Sequence, residues 1–258
     1  MTDDQLAAEL ATAAGELLLA IRAELADAPA EALKAAGDKG SHDFLMEALA
    51  AARPDDAVLS EEGADDPVRL RSDRVWIVDP LDGTREFSEP DREDWAVHVA
   101  LWSRAGGSQA GGTRSGGQDG ELVAGAVALP AQGVTLATPG VSAPPPPPGT
   151  PRILVSRTRP PAAALKVREQ LGGILVEMGS AGAKVAAVVQ GRAEIYVHAG
   201  GQYEWDSAAP VAVARAAGLH TSRIDGSPLV YNRPDPLLPD LLVCRPEYAE
   251  AVLAALRL

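Results

Sequence analysis

The sequence predicts a mixed α/β fold, and three observations support this prediction. The second half of the chain alternates short apolar runs with helical patterns, which is typical of an α/β lobe. The 258 residues are 46% hydrophobic and 23% charged, a globular rather than a disordered composition. No repeat of fixed period is found, which argues against solenoids and propellers. At about 150 residues per domain, the length suits one large domain or two coupled lobes.

The first half begins with helices and continues with strands. Leucines at helical spacing predict a first helix that starts near Leu6 and ends by Pro29. A loop at residues 37–40 is predicted to lead to Ser41, the N-cap of a second helix. Apolar runs that group or alternate predict strands at 57–59, 75–78 and 95–101, followed by strands near 121–129 and 133–138.

Two low-complexity stretches divide the chain. Residues 105–120, AGGSQAGGTRSGGQDG, are glycine-rich and polar and predict a flexible hairpin loop. Residues 142–151, SAPPPPPGTP, predict an extended connector. We therefore expect an N-terminal α+β lobe over 1–141, a proline-rich connector over 142–151 and a C-terminal α/β lobe over 152–258.

In the C-terminal lobe, strands and helices alternate. The pattern predicts strands at 152–155, 174–176 and 193–197, and helices at 160–171, 181–190, about 207–217 and 246–257.

Charge and cysteine content limit the classes of partner. With 23 basic and 36 acidic residues the net charge is −13, which argues against a nucleic-acid polymer or an anionic membrane as partner. No apolar run approaches the roughly 20 residues of a membrane span, and the acidic N-terminus is unlike a signal peptide. The single cysteine, Cys244, can form no intrachain disulfide. We expect a soluble cytoplasmic protein; the sequence allows a homodimer without fixing an oligomeric state.

Three acidic clusters follow apolar runs or open a helix, the places where α/β proteins build their sites. They are Ser60-Glu61-Glu62, the segment DPLDGT at 79–84 and the segment WDSAAP at 205–210. Taken singly, each has a structural explanation: loop charge, a tight turn, or a helix N-cap. Their joint occurrence favours a shared site.

The DPLDGT segment suits a hard cation and a phosphate. Pro80 stiffens the chain between Asp79 and Asp82, so both carboxylates and the Leu81 carbonyl can face one point. Such all-oxygen ligation is typical of Mg²⁺ or Mn²⁺ and not of zinc. The following Gly83 and Thr84 offer backbone N–H groups and a hydroxyl to a phosphate oxygen. The pattern predicts metal-assisted phosphoryl chemistry.

The two motifs, in this order, resemble the signatures of the inositol monophosphatase superfamily, whose members are magnesium-dependent, lithium-sensitive phosphatases. Asp38 and the Glu61-Glu62 pair also fall in the order of that family. The resemblance spans nearly the whole chain. It implies a layered αβαβα sandwich of the inositol monophosphatase and fructose-1,6-bisphosphatase type. The metal site would lie between the lobes, with most of the ligands in the N-terminal one.

The resemblance also implies roles for individual residues. It implies two Mg²⁺ ions, or three, with Mn²⁺ as a substitute. Their ligands would be carboxylates and one carbonyl, those of Glu61, Asp79, Leu81, Asp82 and Asp206. Asp38 and Thr84 resemble the pair that activates the attacking water.

Within the family, the first half resembles the branch that removes the 3′-phosphate of 3′-phosphoadenosine 5′-phosphate, the 3′(2′),5′-bisphosphate nucleotidases. Arg85-Glu86-Phe87 carries this likeness, because inositol monophosphatases more usually have Thr-x-Asn-Phe there. In the second half, stretches that resemble nucleotide-contacting segments contain Ser156, Arg157, Ser180 and Lys184. The stretch 179–184 has one extra small residue relative to the family pattern. Arg157 and Lys184 would suit the second phosphate of a bisphosphate.

The leading hypothesis is therefore a magnesium-dependent bisphosphate nucleotidase of sulfur assimilation. The alternative within the same fold is an inositol-1-phosphate or fructose-1,6-bisphosphate phosphatase. A more remote alternative is a non-catalytic metal-binding regulatory protein, against which stands the presence of every acid that the motifs require. His98 lies in mid-strand and is predicted to be structural, and Trp205 is predicted to pack the start of its helix.

Overall fold

The computed structural model describes residues 1–104, 120–145, 149–158 and 160–257. They form two five-stranded sheets, seven α-helices and two short 3-10 helices. Residues 105–119 of the predicted hairpin loop lie outside the described residues, and so do residues 146–148 of the predicted connector.

The first sheet is built from the N-terminal half. Its strands follow one another in chain order: β1 Ala57–Ser60, β2 Arg74–Asp82, β3 Ala96–Ser103, β4 Glu121–Leu129 and β5 Val134–Ala137. The β1–β2 pair is parallel and the other pairs are antiparallel. The helices of this half are α1 Asp3–Glu24, α2 Ala30–Ala52 and the short α3 Thr84–Ser88.

The second sheet is built from the C-terminal half. Its strands are β6 Arg152–Ser156, β7 Ile174–Met178, β8 Ile195–Tyr203, β9 His220–Ser222 and β10 Leu237–Cys244, in the order β7-β6-β8-β10-β9. The helices are α4 Ala162–Leu171, α5 Ala181–Val189, α6 Glu204–Ala216 and α7 Pro246–Arg257.

The elements stack in five layers. Helices α1 and α2 cover one face of the first sheet, and α6 with α5 covers its other face. The same two helices contact the second sheet, whose far side carries α4 and α7. All nine residues of α5 are buried. Eight of them are alanine, glycine or valine, and these small residues suit a helix enclosed between two sheets. The predicted αβαβα sandwich is confirmed.

Close backbone approach explains how the middle layer fits. A side chain at Gly125 on β4 would place its Cβ 2.6 Å from the Cβ of Ala212 on α6. Contacts this short do not occur between real Cβ atoms, so α6 can lie on the first sheet only because residue 125 lacks a side chain. One apolar core cluster contains residues from both halves of the chain.

The predicted loop at residues 37–40 is wrong, because α2 runs unbroken from Ala30 to Ala52. Its glycines serve packing and not a turn: a Cβ at Gly37 would lie 2.7 Å from a ring carbon of Phe87. Ser41 is not an N-cap; its buried hydroxyl donates a 2.7 Å hydrogen bond to the carbonyl of Pro80. The residue at the N-cap of α2 is Pro29.

The start of α6 also differs from the prediction. The strand predicted to end at residue 197 continues to Tyr203, and the helix begins at Glu204 rather than near residue 207. Asp206 therefore lies inside the first turn of α6. Among the described residues, no helix has the length and apolarity that crossing a membrane would require.

Candidate active site

The DPLDGT segment forms the end of β2 and the start of α3. Asp79 and Asp82 are buried, with 1% and 7% of their surface exposed. The pairing of β2 with β3 shifts register between these two residues, so the strand does not continue regularly through Pro80 and Leu81. Gly83 adopts the left-handed conformation, with φ of 89°, which favours glycine and turns the chain into α3.

Helix α6 brings a third carboxylate to the same point. One oxygen from each of Asp79, Asp82 and Asp206 lies within 4.8 Å of the others. Asp206 is held there by its own helix start, where its Oδ2 accepts a 2.6 Å hydrogen bond from the backbone N–H of Tyr203. The two sequence motifs, separated by nearly half of the chain, thus meet in one acidic cluster.

Glu61 lies at the edge of this cluster. Glu61 directly follows β1, which pairs in parallel with β2. It therefore lies at the same edge of the sheet as Asp79. Although its side chain reaches solvent, desolvation and the charge of Asp206 raise the pKa of Glu61 to about 7. The fourth predicted ligand side chain is therefore close enough to the triad to interact with it electrostatically.

The electrostatics of the triad favour a bound cation. Burial, followed by the charge of Glu61, raises the pKa of Asp79 well above its usual value. Burial and the charge of Asp82 raise the pKa of Asp206 to about 6. Negative charges this close in a desolvated site repel one another, and a cation bound between them would offset that repulsion. Oxygen-only donors of this kind fit Mg²⁺ or Mn²⁺.

Asp82 is held differently from its neighbours. Its Oδ2 accepts hydrogen bonds from the Ser180 hydroxyl at 2.5 Å and the Gly182 N–H at 2.6 Å, and its Oδ1 accepts from the Ala181 N–H at 3.1 Å. Burial alone would raise the pKa of Asp82, but a contact with His98 and these donors hold it at about 2. The contact with His98 and the donors at the N-terminus of α5 together favour the charged form of this carboxylate.

His98, which is predicted to be structural, lies against the acidic cluster. Its fully buried ring lies opposite Asp79 across the β2–β3 pair. Nε2 lies 3.2 Å from Asp82 Oδ2 in an ion-pair contact without regular hydrogen-bond geometry, and Nδ1 lies 3.0 Å from the carbonyl oxygen of Trp205. Burial lowers the pKa of His98, but the contact with Asp82 outweighs this and raises it.

The predicted water-activating pair is brought together beside the triad. The Thr84 hydroxyl lies 3.5 Å from Asp38 Oδ1 and 3.3 Å from the carbonyl oxygen of Leu81, the carbonyl predicted to bind metal. Asp38 lies within α2, one turn before Ser41. Partial burial and the charge of Glu62 raise the pKa of Asp38 to about 6.

The predicted substrate-binding residues of the second half have partners within the protein. Arg157 pairs with Glu86 at 2.6 Å and with Glu89 at 2.9 Å, both on or directly after α3. The buried Lys184 donates to the carbonyl of Gly179 at 2.9 Å, and Ser180 caps α5 while it donates to Asp82.

Ser156, at the end of β6, lies 3.3 Å from the hydroxyl of Thr158 and makes no hydrogen bond to the acidic cluster among the described residues.

A second buried cluster, which the sequence analysis did not single out, supports the start of α6. Glu204 accepts hydrogen bonds from the backbone N–H groups of Asn232 at 2.6 Å and Arg233 at 2.7 Å. Arg69, only 1% exposed, donates to the side chain of Asn232 at 2.8 Å. The loop before β10 is thereby fixed to the turn that presents Asp206.

Comparisons with known proteins show which family the chain resembles. Residues 2–115 and 152–257 match the sequence profile of the inositol monophosphatase family. A 3′-phosphoadenosine 5′-phosphate phosphatase of Mycobacterium bovis is 54% identical over 247 residues, which cover 94% of this chain and 89% of the relative. The 3′(2′),5′-bisphosphate nucleotidase CysQ of Escherichia coli is 31% identical over 210 residues, 76% of this chain and 78% of that protein.

A solved structure is similar over the whole fold. The crystal structure of CysQ from Bacteroides thetaiotaomicron, a bacterial member of the inositol monophosphatase family, superposes with a TM-score of 0.72 at 25% identity. The match covers 94% of this chain and 97% of that structure. Family profile, sequence relatives and fold lead to one conclusion: this chain belongs to the inositol monophosphatase family.

Proposed function

We propose that this protein is a magnesium-dependent phosphatase that removes the 3′-phosphate of 3′-phosphoadenosine 5′-phosphate to give AMP and phosphate. The observation that carries the proposal is the meeting of Asp79, Asp82 and Asp206 beside the Asp38–Thr84 pair. The substrate follows from the relatives, since a relative that is 54% identical over 94% of the chain acts, by its name, on this nucleotide.

The metal ligands in this proposal are those with oxygen atoms at the acidic cluster. Glu61, Asp79, Asp82 and Asp206 would hold two Mg²⁺ ions, or three, with the help of the Leu81 carbonyl; Mn²⁺ is a fitting substitute. When bound, the ions would supply positive charge for the phosphate and acidify the attacking water.

The protein's own residues would then direct the reaction. Thr84 and Asp38 orient the water, and Asp38 accepts its proton as the new P–O bond forms. The bond to the ribose 3′-oxygen breaks, and that oxygen leaves with its electron pair and takes up a proton. Backbone N–H groups of Gly83 and Thr84, where β2 turns into α3, would contact the transferred phosphate.

The second phosphate of the substrate would be bound at the base of α3. The Arg157 guanidinium, one-fifth exposed, is an accessible cation there, next to Ser156. Lys184 would contribute through its charge, because its ammonium group is buried and bonded to a backbone carbonyl. Ser180 would contribute through Asp82, since its hydroxyl donates to that carboxylate.

We also infer inhibition by lithium, a role in sulfur assimilation and a cytoplasmic location, which the family resemblance and the chain's composition support. The division into lobes at 1–141 and 152–258, joined by the connector 142–151, and a homodimer stay predictions.

The proposal is tested by comparing three substrates under one set of conditions. Purified protein is assayed with 3′-phosphoadenosine 5′-phosphate, inositol 1-phosphate and fructose 1,6-bisphosphate, each with Mg²⁺ and with a chelator. We expect the highest kcat/KM for the nucleotide and no turnover with the chelator. Asp206→Asn should abolish turnover, whereas Asp27→Asn, a matched change on the surface, should not. A higher kcat/KM for inositol 1-phosphate or fructose 1,6-bisphosphate would overturn the assignment of the substrate.

A further inference from the structure

One buried histidine connects the parts of the proposed metal site. His98 on β3 has no exposed surface, yet both of its ring nitrogens lie near oxygen atoms. Nδ1 lies 3.0 Å from the Trp205 carbonyl and 3.9 Å from Asp79 Oδ2, while Nε2 lies 3.2 Å from Asp82 Oδ2. Because a carbonyl can only accept, Nδ1 is the donor in the contact with Trp205.

The ring spans the gap between the two motifs. Asp82 ends β2, whereas the Trp205 carbonyl belongs to the first turn of α6, one residue before Asp206. With Nδ1 beside the Trp205 carbonyl and Nε2 beside Asp82 Oδ2, the imidazole occupies the space that separates the start of α6 from the end of β2. That separation determines whether the carboxylates of Asp82 and Asp206 can share one cation.

Helix α5 leaves room for the Nε2 end of the His98 ring. A Cβ at Gly182, in the first turn of α5, would lie 1.9 Å from His98 Nε2. Glycine at this position therefore allows the imidazole to lie against α5 while the Gly182 N–H donates to Asp82 at 2.6 Å. Asp82 is thus held between the ring on one side and the start of α5 on the other.

Packing alone does not account for this residue. The neighbouring Val97 and Val99 belong to the apolar cluster beneath α1 and α2, while His98 faces the acidic cluster on the other side of the sheet. Burying an imidazole costs free energy that an apolar side chain of the same size would not cost. The ring is accounted for by its contacts with oxygen atoms.

We propose that His98 is a positioning residue that sets the geometry of the divalent-cation site by bridging Asp82 and the first turn of α6. The inference rests on the proposed function, because it takes the acidic cluster as the site of the cation. Residues that orient metal ligands typically contribute about 10- to 100-fold to metal affinity.

The test measures Mg²⁺ binding without substrate. Isothermal titration calorimetry on the wild type, His98→Ala and His98→Asn gives the dissociation constants. Binding should weaken at least about tenfold in His98→Ala. The shorter amide of His98→Asn cannot bridge both partners, so binding should weaken there too. Val99→Ala, the matched change on the other face of β3, should lower the Tm without changing Mg²⁺ affinity.

Each outcome has one meaning. A wild type that binds no Mg²⁺ overturns the proposed function. A wild type that binds Mg²⁺, with unchanged affinity in His98→Ala, overturns only the positioning role. An equal loss of affinity in Val99→Ala would also overturn it, because general destabilisation would then explain the effect.

A second pair of variants tests the contact with α5. Gly182→Ala should weaken Mg²⁺ binding, since its methyl group displaces the imidazole from Asp82. In the His98→Ala background the same change should alter binding by less than about twofold, because no ring remains to be displaced. Additive effects of the two changes would contradict the bridge.

Discussion

The carboxylate of Asp82 accepts a 2.5 Å hydrogen bond from the hydroxyl of Ser180, a residue 98 positions further along the chain. Asp82 ends the second strand of the first sheet, and Ser180 caps the helix that lies between the two sheets. A hydrogen bond to a charged group is stronger than one between neutral groups. The contact therefore links the carboxylate of a proposed metal ligand directly to the packing of the two halves.

Asp82→Asn should lower turnover at least about a hundredfold while the fold stays largely intact. The change removes one negative charge from the proposed metal site. It also replaces one carboxylate oxygen by an NH2 group, which then faces the N–H donor of either Ala181 or Gly182 and lowers the free energy of unfolding. Steady-state kinetics at saturating Mg²⁺ and circular dichroism check this. A variant with more than half of the wild-type turnover would exclude Asp82 from the site.

Ser180→Ala should lower the free energy of unfolding by about 1–2 kcal/mol, the usual effect of removing a helix N-cap. The side chain accepts from the Ala183 N–H at 2.9 Å, so its loss leaves a donor of α5 unpaired. Urea unfolding measures the difference, with Ser142→Ala at an exposed position as the control. If both variants unfold at the same urea concentration, the cap contributes nothing to stability.

Most elements of the fold were predictable because the hydrophobic pattern reports burial. The strands around Ile77, Val99 and Leu154 were read from apolar runs, and all are buried in the structure. The loop predicted within the second helix is wrong for a physical reason: Gly37 and Gly40 are typical of a turn, but here they make room for Phe87 and Ile21. A single sequence does not show what a glycine packs against.

The acidic residues of the site were predictable because their motifs are local, whereas the contacts that hold them are not. Ser180 and Gly182 bind Asp82 only because α5 lies between the sheets. One signal for His98 was available, since a polar residue in the middle of the run WAVHVAL must have a partner if it is buried. The partner could not be named without the fold.

The acid limb of the pH–rate profile should follow the ionisation of Asp38. As a base, Asp38 must be unprotonated, so activity should rise with pH as the pH passes the pKa of this carboxyl, about 6 in the metal-free protein. Bound cations lower that pKa, which places the limb at or below about pH 6. Asp38→Asn should lose at least about a hundredfold in kcat.

The variant Glu62→Gln tests the same prediction more directly, because it leaves Asp38 itself unchanged. The charge of Glu62 raises the pKa of Asp38, so its removal should move the acid limb of kcat/KM to lower pH. The position of the limb is compared with that of the wild type at fixed ionic strength. If the acid limb of Glu62→Gln lies at the same pH as that of the wild type, a group other than Asp38 controls it.

Replacing residues 105–119 by a four-residue turn should change the free energy of unfolding by no more than about 1 kcal/mol. Ser103 and Glu121 pair directly across β3 and β4, so a short turn can join the two strands. Gly120 must be kept, because a Cβ there would lie 2.4 Å from the Ser103 carbonyl oxygen. Urea unfolding and Mg²⁺ titration check the shortened protein. An insoluble product, or one that no longer binds Mg²⁺, would show that the segment packs on the fold.

The last prediction separates binding of the second phosphate from support of α3, and it concerns Arg157. This residue pairs with Glu86 and Glu89, and α3 begins at Thr84 of the proposed catalytic pair. If Arg157 binds the phosphate that is not cleaved, Arg157→Ala should lower kcat/KM for 3′-phosphoadenosine 5′-phosphate about ten- to a hundredfold. Inositol 1-phosphate, which lacks that phosphate, should keep nearly its original kcat/KM.

Glu89→Gln is the matched variant, because it removes one partner of Arg157 and leaves the guanidinium in place. In this variant Arg157 has to break its contact with one carboxylate instead of two before it binds a phosphate. The kcat/KM for the nucleotide should therefore stay the same or rise. Both variants are assayed on both substrates at saturating Mg²⁺. Equal losses on the two substrates in Arg157→Ala would mean that the residue holds α3 and Thr84 in place. No loss on either substrate would remove Arg157 from the site, and the preference for a bisphosphate would need another cation to explain it.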